Sequence, residues 1–200
     1  MRASVLAVAL VMALIVVVSV GVSAKPPASG KVTSIPLLPA GVAVASYAGY
    51  FTVDEPTDSN LFYWMFEALH ADPRSAPLLV WLNGGPGSSS MYGLFAEHGP
   101  FYLSPDGSTL EMRNVSWVND FNVVYIDNPV GTGFSYTMSD DGFVTNQKEV
   151  GADLLNFIYQ LYVKYPQFQK VPLYICGQNA CTEANTACAP WLSSSVGGSR

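Results

Sequence analysis

Between Pro77 and Ser90 the chain reads PLLVWLNGGPGSSS, an apolar run that ends abruptly at a turn of Asn83, Gly84, Gly85, Pro86 and Gly87. The run is too short for a helix and has no polar–apolar alternation, so it fits a strand buried on both faces. Two further runs share this character: FNVVYI from Phe121 to Ile126 and VPLYIC from Val171 to Cys176. Strands buried on both faces belong to a mainly parallel sheet, because parallel neighbours need crossover connections that cover the sheet with helices.

The remaining pattern supplies an antiparallel edge and a cover. SYAGYFTV from Ser46 to Val53 and LFYWMFEA from Leu61 to Ala68 read as two strands joined across the turn-forming DEPTDSN segment from Asp54 to Asn60. Val150, Leu154, Phe157, Ile158, Leu161 and Tyr162 fall on one face at helical spacing, which predicts a helix between Thr145 and Tyr165 that Pro166 ends. Hairpin, strand, glycine turn, strand, helix, strand is the order of an α/β sheet with an antiparallel edge. Half of the 200 residues are hydrophobic, enough for a substantial core. The net charge of −6 and the absence of Lys/Arg clusters argue against nucleic acid as a partner.

The N-terminus reads as a targeting segment. Arg2 precedes a nearly unbroken apolar run from Val5 to Val20, and Val22-Ser23-Ala24 offers small residues for cleavage before Lys25. Residues 1–24 are therefore expected to be a secretory signal peptide, leaving no stable membrane span; an uncleaved anchor is the alternative. Residues 25–45 form an extended mature N-terminus. Asn114-Val115-Ser116 is an N-glycosylation acceptor, as suits a secreted chain. Cys176, Cys181 and Cys188 make an odd count with no His nearby, so their spacing fits no common zinc site and no metal or other cofactor is expected.

Glycines after a buried strand let a backbone approach a ligand and turn its N–H groups outward. In α/β-hydrolases such a loop donates one N–H to the oxyanion of an acyl-transfer intermediate. From the glycines alone, a plain turn between strand and helix is the other reading.

LLVWLNGGPGSSS closely resembles the hallmark of the serine carboxypeptidases. Tyr47-Ala48-Gly49-Tyr50, Phe62-Tyr63-Trp64, Glu97-His98-Gly99-Pro100-Phe101 and Asn128-Pro129-Val130-Gly131-Thr132-Gly133-Phe134-Ser135-Tyr136 resemble further family segments in order and spacing, from about Ser46 to Gly177. The resemblance implies an α/β-hydrolase fold, with residues 46–177 as the N-terminal half of its mixed, mainly parallel sheet, truncated. It implies serine-type hydrolysis of C-terminal peptide bonds, with the C-terminus of a peptide as the bound partner. It also implies a secreted or a vacuolar or lysosomal location. Residue by residue, Gly85 N–H would be an oxyanion donor, while Asn83, Gly84, Glu97 and Gln178 would hold the substrate carboxylate. A protonated Glu can donate a hydrogen bond to a carboxylate in mild acid. Ser88 stands where most relatives have Cys, so a stapling disulfide is expected to be absent there.

The resemblance fails at the nucleophile. Where the family has G-E-S-Y-x-G, this chain reads Gly177-Gln178-Asn179-Ala180-Cys181-Thr182, with Asn179 in the position of the catalytic Ser. The two histidines, His70 and His98, match no catalytic position. No catalytic residue is therefore assigned, and the chain is expected to be inactive. Cys181 lacks a base to activate it. Residues 178–200 form a divergent tail. In a shifted frame, the codons of Cys181 to Thr186 can spell the family's Tyr-Gly-Gly-Lys-Tyr, which reads as a splice variant or frame error. A non-catalytic peptide-binding product and a related acyltransferase are the alternative functions. If the chain stops there, the strand from Val171 to Cys176 borders an open edge.

Overall fold

The computed structural model describes residues 30–85 and 87–178. Among these residues eight strands and one α-helix follow in chain order. They are β1 Gly30–Lys31, β2 Ser46–Asp54, β3 Ser59–Phe66, β4 Leu78–Leu82, β5 Phe101–Leu103, β6 Leu110–Met112, β7 Asn122–Ile126, α1 Gln147–Lys164 and β8 Leu173–Gly177. Six strands form one sheet in the order β1-β2-β3-β7-β4-β8. β1, β2, β3 and β7 pair antiparallel in turn, whereas β4 runs parallel to both β7 and β8. This is the expected mixed sheet of an α/β-hydrolase, parallel at the end that carries the glycine turn.

Every residue of β4 and of β7 is buried, as their unbroken apolar runs predict. β8 departs from that expectation. Tyr174 is 55% exposed, because β4 is the one strand that flanks β8 among the described residues. The hairpin also closes more tightly than the sequence implies. Ser59 and Asn60 join β3 instead of the turn, since their polar groups find partners within the ladder. Thr52 Oγ1 donates to Asn60 Oδ1 at 2.8 Å, and Asn60 Nδ2 donates to Asp58 O at 2.7 Å. The short β5–β6 hairpin went unforeseen, because three-residue strands carry too little periodicity to read.

Strand alternation divides the core between two faces. Leu61, Tyr63 and Met65 pack with Val80, Leu154 and Phe157 beneath α1. Phe66, Trp81, Leu94, Phe101 and Tyr125 fill the opposite face. α1 starts where Asn146 Oδ1 accepts from Lys148 N and Glu149 N, both at 3.1 Å, and Glu149 reaches back to Thr145 N at 2.7 Å. A cap of this kind stabilises a helix by about 1 kcal/mol. Asn156 and Gln160 then tie the helix to the end of β2 through Val53 O and Thr52 O. Among the described residues no helix is long and apolar enough to cross a membrane. The apolar run from Val5 to Val20 lies outside them.

Candidate active site

The C-terminal ends of β7, β4 and β8 lie side by side and deliver Asp127, Asn83 and Gln178 to one rim of the sheet. Chain connections leave β4 toward β7 and return past it to β8, and in open α/β sheets ligands bind at such a rim.

Asn83 is 2% exposed and its orientation is fixed by its neighbours. Its Oδ1 accepts from Trp81 Nε1 at 2.7 Å and from Gly93 N at 3.1 Å. With the carbonyl oxygen engaged on both lone pairs, the amide nitrogen turns toward β8 and donates to Gln178 Oε1 at 3.4 Å. Gly93 has to be glycine: a Cβ there would stand 2.4 Å from Trp81 Nε1 and 2.8 Å from Asn83 Oδ1. Gly93 opens a π-helical turn, Gly93–Glu97, a form that recurs at functional sites. The turn thus begins on Asn83 and ends on Glu97. The Glu97 side chain is 26% exposed, with Oε2 3.9 Å from His98 Nε2. Gly84 is buried, whereas Gly85 lies exposed in the turn with φ of +126°.

Beneath the turn lies a hub that sequence reasoning missed. Asp127 is fully buried at the end of β7. Its Oδ1 accepts from Ser89 Oγ at 2.7 Å and Ser90 N at 2.8 Å, and its Oδ2 accepts from Phe134 N at 2.9 Å. Ser90 Oγ in turn accepts from Asn83 N at 3.0 Å and donates to Ile126 O at 2.5 Å. Ser135 Oγ donates to Asp127 O at 2.6 Å and accepts from Phe62 N at 2.8 Å. One buried carboxylate therefore joins the glycine turn to the loop after β7, which carries a cis Asn128–Pro129 bond. Gly133, at φ of +54°, passes so close that a Cβ would stand 2.2 Å from Asp127 Oδ2. An acidic residue directly after the apolar stretch at residues 123–126 was the signal available in the sequence.

Asn83, Gln178 and the turn bearing Glu97 are thus brought together. Asn179 lies outside the described residues. Asn114 is exposed on the loop after β6, and its carbonyl accepts from Asn119 Nδ2 at 3.1 Å.

A cavity of about 290 Å³ lies elsewhere, at the start of α1, lined by Asp54, Asp141, Glu149 and Asp153 among others. Desolvation, reinforced by Asp54 and Glu149, pushes the Asp153 carboxyl up to about 6. Its folded value lies above the ordinary 3.8, so the native state holds the proton more tightly than the unfolded chain does. The associated stability is complete below pH 3.8 and is lost as pH rises through about 6. The expected result is that Asp153→Asn, which keeps a neutral group, gains urea stability relative to the parent chain as pH rises from 4 to 7. A constant difference across that range would refute the assignment.

Residues 36–179 match the sequence profile of the family described as serine carboxypeptidase. A venom serine carboxypeptidase of Apis mellifera and a vitellogenic carboxypeptidase of Aedes aegypti are each 47% identical over 137 residues, 68% of this chain. A probable serine carboxypeptidase of Homo sapiens is 42% identical over 139 residues, 70% of this chain. The chain spans 29% of the length of each of these relatives. Among solved structures, a prohormone-processing carboxypeptidase of Saccharomyces cerevisiae aligns with a TM-score of 0.69 at 26% identity, over 78% of this chain and 35% of that one.

Proposed function

Because the chain belongs to the serine carboxypeptidase family, we propose that it carries the part of a carboxypeptidase site that grips the C-terminal carboxylate of a peptide, without the nucleophile that would cleave it. In the whole protein type, the reaction is hydrolysis of a C-terminal peptide bond through an acyl-enzyme. The groups assigned here are those that bind and orient. Asn83 Nδ2, Gly84, Gln178 and the Glu97 carboxyl surround the carboxylate, and Gly85 N–H faces the carbonyl oxygen that becomes the oxyanion. Asn179 stands in the nucleophile's place, and a carboxamide cannot form the acyl-enzyme.

The observation that carries this reading is the fixed orientation of Asn83. Both acceptor sites of its oxygen are filled by Trp81 and Gly93, so its amide nitrogen is presented at the rim beside Gln178. A preset donor loses little freedom when it binds an anion. The same reading sends the chain into the secretory pathway, with residues 1–24 removed and sugar on the exposed Asn114.

The test compares N-acetylphenylalanylleucine with its C-terminal amide by calorimetry at pH 5. The free acid is expected to bind about tenfold or more tighter than the amide, and Asn83→Ala is expected to erase the preference. Equal affinity for acid and amide would refute the reading.

A further inference from the structure

We propose that His98, neutral and carrying its proton on Nε2, is a positioning residue that orients the Glu97 carboxyl; this role rests on the carboxylate reading above. The backbone of His98 is held at three points. Its N–H donates to Gly93 O at 3.0 Å, and its carbonyl accepts from Trp117 N at 3.0 Å and Ser116 Oγ at 2.9 Å. The ring is held as firmly. It stacks on Trp117 with centroids 4.0 Å apart at 14°, and Trp81 meets it edge-on at 4.4 Å. Tyr125 lies nearly parallel at 5.7 Å.

The two ring nitrogens face different partners. Nδ1 lies 3.2 Å from the hydroxyl of Tyr125, a residue with no exposed surface. Burial drives the tyrosine strongly toward its protonated form, so that hydroxyl keeps a proton that needs an acceptor. Nδ1 as acceptor satisfies it. Nδ1 as donor would leave the hydroxyl proton without that acceptor and the Nε2 lone pair buried as well. A doubly protonated ring is disfavoured too: desolvation, and then the charge of Arg113, lower the histidine to about 4. The proton therefore sits on Nε2.

Nε2 is buried and makes no hydrogen bond, and Glu97 Oε2 lies 3.9 Å from it. A movement of about 1 Å by the partly exposed glutamate brings the pair to hydrogen-bond distance. Glu97 Oε2 would then accept from His98, leaving the other oxygen to meet the incoming carboxylate through one shared proton. A neutral donor suits this task because it orients the carboxyl without stabilising its ionised form as a full positive charge would. The Arg113 guanidinium is held off by bonds to Phe101 O and Phe95 O.

Two histidines in the sequence make the test direct. The full chain, labelled with 15N-histidine, is titrated at pH 5 with N-acetylphenylalanylleucine, and His70→Gln assigns the signals. Free His98 is expected to show an unprotonated Nδ1 and a protonated Nε2. Peptide should shift Nε2, and Glu97→Ala, which removes the acceptor, should abolish that shift while retaining the tautomer. In calorimetry, His98→Phe, which keeps an aromatic ring in the stack, should weaken binding of the free acid about tenfold, and His98→Gln should restore part of it. A proton on Nδ1, or an Nε2 signal indifferent to Glu97→Ala while the acid still binds in preference to the amide, would overturn the role of His98. Loss of that preference in the parent chain would instead overturn the carboxylate reading. The Glu97 variant alters a partly exposed side chain, so the result does not depend on tolerance in the core.

Discussion

The purified 200-residue chain is expected to release no C-terminal amino acid from blocked dipeptides at any pH between 4 and 8. It is also expected to remain unlabelled by a fluorophosphonate probe. Acyl-enzyme chemistry needs an oxygen or sulfur nucleophile activated by a neighbouring base. In the function proposed above Asn179 takes the nucleophile's position, and the nitrogen lone pair of a carboxamide is delocalised into its carbonyl. Removal of such a nucleophile lowers turnover by about 10⁶-fold, leaving only what oxyanion and binding groups supply. Neither His70 nor His98 is placed to act as that base. His70 lies on the surface, and His98 is wedged between Trp81 and Trp117 with Nδ1 on Tyr125. Cys176, the described cysteine, has its thiol pushed up by burial, which opposes formation of a thiolate. Inhibitor-sensitive release of amino acid above the uncatalysed rate would refute this expectation.

Asp127→Ala is expected to have the largest effect on the fold, a loss of about 3–4 kcal/mol, or roughly 10 °C in Tm. The reason lies in what is left behind. Ser90 N, Ser89 Oγ and Phe134 N all lose their acceptor, and Ser90 is 1% exposed, so water cannot replace it. An unpaired buried donor costs about 1–3 kcal/mol. Asp127→Asn should fare only somewhat better, because an amide that faces one donor with its oxygen turns its own NH₂ toward the other. Ser89→Ala removes a single hydroxyl and should cost about 1 kcal/mol. The loss should also reach binding, since Ser90 Oγ holds the Asn83 backbone. Thermal and urea unfolding of the three variants provide the check. A loss for Asp127→Ala no greater than that for Ser89→Ala would show that Asp127 is not the hub.

The sequence by itself determined the strands, the helix and the chemistry available at the turn. Unbroken apolar runs gave β4 and β7, and a 3.6-residue stripe gave α1 to within about two residues at each end. These features are local, because burial imposes its period on consecutive residues. Asn83, Gly84, Glu97 and Gln178 were singled out through resemblance alone, and the fold joins Asn83 to Gln178 across 95 positions. The partnerships of buried polar groups depend on the assembled fold. Nothing local links Ser89 or Ser90 to Asp127, or His98 to Tyr125, since each pair is more than two dozen residues apart. A polar atom sealed in the interior is costly without a partner, and the fold decides which one it meets. That partner fixes which way Asn83 faces and which nitrogen of His98 bears the proton. The exposure of β8 was decided the same way, because a strand's second face depends on its neighbours and not on its own apolar sequence.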